Sequence, residues 1–278
     1  MSAPSLLRRH VLRAASPLIR KPFAPLQKRF VHEFPVLGGD SLRRVDGIPG
    51  LFTPAAYRLA WTEYQKGLVE KLNLLTAGTD FADKPAVEIA IMTARQADLA
   101  ATFNYASQAH NNHFFFSALS SHGKETPMPD VLTAYITDTF SSLEALKIEL
   151  LATAEAMFGC GWVWLVLDHH KRFRILCTYN AGTPYGEAFR RQDTDMNTGE
   201  TLGGDAKYTS AIQKAAKGSG ARNFLPLVNV NCWQHAWITD YGVLGKRKYL
   251  EAWWKMVDWE VVAGRLGTIA VTPMRTLY

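Results

Sequence analysis

No run in this sequence approaches the roughly 20 consecutive apolar residues that a membrane-spanning helix needs, so a soluble protein with no membrane partner is expected. Cysteine is scarce: Cys160, Cys177 and Cys232 lie far apart, odd in number and without a CxxC pair. That excludes a small disulfide scaffold and fits a reducing compartment better than a secretory one. Acid is missing from the first 32 residues, which carry Arg8, Arg9, Arg13, Arg20, Lys21, Lys28 and Arg29 before Glu33 appears. Histidine is missing between His32 and His110. What is abundant is apolar: 47% of the 278 residues are hydrophobic and 12% aromatic, enough for a substantial core and too much for a disordered chain.

The net charge of +6 belongs to the leader. Once its seven bases are set aside, 24 bases face 25 acids, so the body is nearly neutral. Residues 1–30 combine Arg, Ser, Leu and Ala without acid, and Leu6, Leu7, Val11, Leu12, Leu18 and Ile19 fall at spacings one helix side gathers. This is the composition of a mitochondrial transit peptide, with processing near Arg29-Phe30 and the matrix as destination. The plainer alternative is a basic tail that binds RNA or membrane.

After a Gly-, Pro- and Asp-rich entry at 37–53, Pro54 opens a helical pattern with Leu59, Leu68, Val69, Leu72 and Leu75 as its apolar stripe. A second helix is expected from Pro85 to about Ser120. With the first it makes an antiparallel hairpin that occupies a domain at 31–125. Asp130 is placed to cap a third helix running to about Phe158, which begins an α+β domain at 126–278. Trp162–Leu167 and Phe173–Tyr179, separated by the polar stretch Asp168 to Arg172, read as a β-hairpin. Phe224–Val230 reads as a third strand and Tyr249–Val262 as a closing helix. Between them, 186–222 is a long polar insertion. The fold class is α+β: a long helical hairpin, then helices around a small three-stranded antiparallel sheet.

Four segments carry the chemistry: Asn112-His113-Phe114-Phe115-Phe116, Gly159-Cys160-Gly161-Trp162-Val163-Trp164-Leu165-Val166, Asn180-Ala181-Gly182-Thr183-Pro184 and Asn231-Cys232-Trp233-Gln234-His235-Ala236. In this order, and with Tyr249-Leu250-Glu251-Ala252-Trp253-Trp254 through Trp259-Glu260 behind them, they resemble the iron/manganese superoxide dismutases over roughly residues 50 to 265. The resemblance implies a metal held by three histidines, one aspartate and a solvent ligand. His113 and His235 match two of the histidines. Asn231 stands where the family has its aspartate, and Ala60 where it has its first histidine. Leu68 and Tyr64 fall on the family's supporting tyrosine and histidine. Gln234 falls on the glutamate that reaches the partner subunit.

Two of four ligands are therefore replaced. A redox-cycling iron or manganese is served by imidazole and carboxylate, and the carboxylate's charge favours the trivalent state. The expectation is no catalytic residue, no cofactor and no dismutase activity, with His113 and His235 as leftover core histidines. His110, one turn before His113, and the turn residues His169 and His170 are not expected to bind metal. An inactive enzyme fold is kept for its surface. With matrix targeting, the chain resembles the dismutase-like proteins of the fungal mitochondrial small ribosomal subunit, which associate as a pseudo-dismutase pair. The resemblance implies a structural role in mitochondrial translation and a homologous dimer partner, together with other small-subunit proteins. Local rRNA contact is expected through Lys207, Lys214, Lys217 and Arg222 of the insertion, or through Lys246, Arg247 and Lys248. The alternative is an active or metal-binding matrix superoxide dismutase with a divergent site.

Overall fold

A computed structural model describes residues 32–38, 45–168, 171–185, 188 and 224–267. The leader at 1–30, His169 and His170, and all of the insertion but Tyr185's neighbour Ala188 lie outside these residues.

Helix α1 is composite: Pro54–Tyr57, a π-helical segment Arg58–Glu63, and Tyr64–Thr76. Thr53 starts it by accepting from the Ala56 N–H, with Pro54 preset for the first turn. Asp240 holds that cap in place, accepting from the Thr53 N–H at 2.8 Å and from its hydroxyl at 2.7 Å. The π segment corrects the expected stripe. Its wider turn shifts the phase of the residues before it against those after it, and the buried positions run Tyr57, Ala60, Trp61, Gln65, Leu68. Leu59, within the π segment, faces solvent at 40% exposure; Leu75 lies in regular α-helix, where Thr76 takes the inward place and leaves it 38% exposed, while Tyr57, Trp61, Leu68, Val69 and Leu72 are buried.

The second arm is broken where one helix was expected. Helix α2 (Ala86–Thr93) ends, a 3-10 turn (Ala97–Leu99) follows, and α3 (Ala100–Ser117) resumes. No Gly or Pro marks the break. Side chains make it, the Thr93 hydroxyl donating to the Ile89 carbonyl and the Gln96 amide to that of Met92. The hairpin is thus α1 against α3. Helix α2 folds onto α3 over a small second core of Leu72, Ile89, Ala90, Phe103 and Ala106.

The third expected helix also divides, into α4 (Asp130–Phe140) and α5 (Leu143–Ala156). Ser141 adopts a left-handed conformation, φ 68°, and Ser142 caps α5 by accepting from the Ala145 N–H. Asp130 is the first helical residue rather than the cap, a place where its charge still suits the helix dipole.

The sheet forms as expected: β1 (Gly161–Leu167), β2 (Phe173–Tyr179) and β3 (Leu225–Asn231), antiparallel in the order β2-β1-β3. β1 is central and buried along its length, which explains its unbroken apolar run. A short helix α6 (Gln234–Tyr241) follows, and then the closing segment comes as α7 (Lys246–Met256) and α8 (Trp259–Gly267). The break between them is pinned to the end of α3, with Ser120 N–H donating to Met256 and Asp258 N–H to Ala118, both at 2.8 Å. One core cluster runs from Ile48 and Phe52 through Trp61, Phe115, Trp162 and Val230 to Leu266, so the helical and α+β halves share an interior.

Candidate functional site: a vestigial metal centre

The four positions expected to match the family's ligands stand on four different elements. Ala60 lies in the π segment of α1, His113 on α3, Asn231 at the end of β3 and His235 in the first turn of α6. Packing rather than coordination now fixes each of them. Asn112, beside His113, donates its amide to the Ala60 carbonyl at 3.2 Å and to Gln65 Oε1 at 3.0 Å. Gln65 in turn donates to the Ala109 carbonyl at 2.9 Å, so buried amides stitch α1 to α3 beside Ala60.

The His113 ring lies 6.0 Å from that of Trp61, and burial lowers its pKa, with the positive Arg265 adding to the effect. His235 lies between Trp233 at 5.8 Å and Tyr64 at 4.2 Å; burial pushes its pKa down to about 4. Both imidazoles are therefore neutral at physiological pH. His110 does not join His113: its Nε2 sits 2.6 Å from the Tyr185 hydroxyl, and burial pushes its pKa down to about 3.

Asn231 decides whether the centre suits a metal. Its Oδ1 accepts from the Trp233 N–H at 2.9 Å, which leaves the amide hydrogens as its free polar face. Its main-chain carbonyl accepts from the buried Tyr249 hydroxyl at 2.9 Å. An amide presenting hydrogens repels a cation, and Ala60 has no donor atom. Two neutral imidazoles remain, too few for a redox iron or manganese. Among the described residues no three His, Cys, Asp or Glu side chains come together as a metal would need. The residues present do not fit the metal that the fold family implies.

Of the supporting positions, Tyr64 packs its ring against His235 at a 42° tilt, Leu68 is buried, and Gln234 accepts from Cys160 Sγ at the surface. Sequence reasoning missed Arg265. Its guanidinium lies 3.6 Å above the Phe114 ring and donates to the Leu227 and Phe114 carbonyls and the Ser117 hydroxyl. Burial pulls its pKa down to about 10. No sequence signal marked it, since the expected closing helix ended at Val262, three residues before it.

The basic candidates divide. Lys207, Lys214, Lys217 and Arg222 lie outside the described residues. Lys246, Arg247 and Lys248 form the first turn of α7 instead of preceding it. Lys246 donates to the Met157 carbonyl at 2.7 Å, Arg247 bridges Glu155 and Glu251, and Lys248 is exposed.

The family of iron/manganese superoxide dismutases, C-terminal domain, matches residues 128–192 and 204–265, and the gap falls inside the polar insertion. The small ribosomal subunit protein mS43 of Schizosaccharomyces pombe is 33% identical over 223 residues, 78% of this chain and 79% of that protein. The small ribosomal subunit protein mS42 of the same organism is 32% identical over 185 residues, 64% of this chain and 72% of its own length. An iron superoxide dismutase of Legionella pneumophila is 29% identical over 198 residues, 71% of this chain and 81% of the enzyme. The chain belongs to the superoxide-dismutase-like family that includes the small ribosomal subunit proteins mS43 and mS42.

Proposed function

We propose that this chain is a structural protein of the small subunit of the mitochondrial ribosome, built on a dismutase fold that no longer dismutes superoxide. One coincidence carries the reading. The fold is intact through its buried tryptophans, while Ala60 and Asn231 remove half of the ligand set. The greater identity to mS43 and mS42 than to the Legionella dismutase supports the same conclusion.

The acid-free leader at 1–30 directs the chain to the mitochondrial matrix and is removed there. A homologous dismutase-like protein is the dimer partner, seated on the face around Gln234. Cys160 bonds to Gln234 on that face, and Phe158, two residues earlier, is 95% exposed. Other small-subunit proteins complete the surroundings. A nearly neutral body keeps rRNA contact local, through Lys207, Lys214, Lys217 and Arg222 and through Lys248 more than its engaged neighbours Lys246 and Arg247. The rival reading, a matrix superoxide dismutase with a divergent site, rests on the retained pair His113 and His235.

Depletion separates the two. Losing the chain should lower the ratio of small to large mitochondrial subunits and mitochondrial translation, with matrix dismutase activity unchanged. A fall in dismutase activity with normal subunit levels would reverse the assignment.

A further inference from the structure

A cavity of about 430 Å³ lies where α1, α3 and the start of α2 meet the entry segment at His32. Small-molecule sites run from roughly 300 to 1,000 Å³. The cavity is distinct from the vestigial metal centre, since His113 lines it while Ala60, Asn231 and His235 do not. Its depth is apolar, with Val69 and Leu72 of α1 and Ala109 of α3 all buried.

The polar groups differ between depth and mouth. From α3 come His110 and His113, both neutral at physiological pH because burial lowers their pKa. Tyr185 engages His110, whereas the ring nitrogens of His113 make no hydrogen bond among the described residues. At the mouth Glu33 and Asp83 are exposed, and neither pairs with a lysine or arginine among the described residues. Lys84, which also lines the cavity, is taken by Glu88 at 2.8 Å. His32 supplies no fixed charge, since burial lowers its pKa against the field of Asp83.

Two negative charges therefore stand over an apolar lining that reaches a neutral imidazole. Anions are repelled at such a mouth, and an inorganic cation finds no cluster of three His, Cys, Asp or Glu among the described residues. An ammonium on an apolar body suits both mouth and lining, and a hydroxyl at its far end suits His113. A second cation there is disfavoured by Arg265, whose positive field acts on His110 and His113.

We propose that this cavity binds an organic monoamine, with its ammonium at Glu33 and Asp83, its apolar body along Val69, Leu72 and Ala109, and a hydroxyl on His113. This goes beyond the ribosomal reading and does not depend on it. The test is calorimetric titration of the purified full chain with tyramine, which has all three features. Three relatives serve as controls: tyrosol, in which a hydroxyl replaces the amine, hydroxyphenylpropionate, in which a carboxylate does, and phenethylamine, which lacks the phenol hydroxyl. Tyramine should bind saturably, tyrosol more weakly and hydroxyphenylpropionate not at all. Phenethylamine should bind about two- to tenfold more weakly than tyramine. Glu33→Gln and Asp83→Asn, both at exposed positions, should each weaken tyramine about two- to fivefold and leave tyrosol unchanged. Absence of saturable tyramine binding at millimolar concentration would overturn the proposal, as would equal affinity for tyramine and hydroxyphenylpropionate. Unchanged tyramine affinity in the double variant would overturn it too. The ligand series on the unaltered chain decides by itself should a variant fail to fold.

Discussion

At Asn231 one atom separates the side chain from the aspartate expected of the dismutase family. An aspartate there would carry charge and a second oxygen; the asparagine gives its one oxygen to the Trp233 N–H and turns hydrogens inward. Ala60 completes the loss on the facing helix, where its carbonyl is tied to Asn112. Restoring Ala60→His together with Asn231→Asp should raise bound manganese or iron measurably over the parent chain. Unchanged metal content by elemental analysis would contradict the placement of the ligand positions. The buried histidines make a second prediction. The folded-state pKa values of His235 and His110, about 4 and about 3, lie below the usual 6.5, so between those values the unfolded chain binds more protons. Stability is therefore full above pH 6.5 and falls as pH drops toward 4, by on the order of 2 kcal/mol or more for each ring. Melting curves across that window should show the fall, and His235→Gln should flatten part of it. A melting temperature independent of pH from 6.5 to 4 would mean that these rings are not buried as described.

At the scale of elements, breaks rather than runs shape the molecule. Ser142 caps α5 after the left-handed Ser141, and Ser142→Ala should cost about 1 kcal/mol, seen as a melting temperature lower by about 2–4 °C. No change would imply that α4 and α5 behave as one helix. The three strands were legible because β-branched and aromatic runs bounded by polar turns have one reading at that length. The helix breaks were not, because Thr93, Gln96 and Ser142 make them with side-chain hydrogen bonds, and such residues also occur within helices. The π segment hid the phase of Leu59, and the buried Thr76 holds the inward place expected for Leu75. For the candidate site, His113, His235, Ala60 and Asn231 were readable from ordered motifs. Arg265 and the amide stitching by Asn112 and Gln65 were not, since both depend on contacts between residues more than 40 positions apart.

On the scale of the whole molecule, a fully packed core accompanies the replaced residues Ala60 and Asn231. Trp61, Trp162, Trp164 and Trp253 are fully buried in one core that joins α1, α3, the sheet and α7. Selection on a shape keeps such a core and is indifferent to a ligand set, which is the pattern at Ala60 and Asn231. The charge layout agrees, with the net positive charge confined to residues 1–32 and a nearly neutral remainder suited to protein neighbours more than to enclosure in rRNA. The most direct test is sedimentation of a mitochondrial lysate through a sucrose gradient at moderate salt, with this chain followed by immunoblot. The account predicts co-migration with the small ribosomal subunit. A peak confined to the top of the gradient, with none at the small subunit, would contradict it.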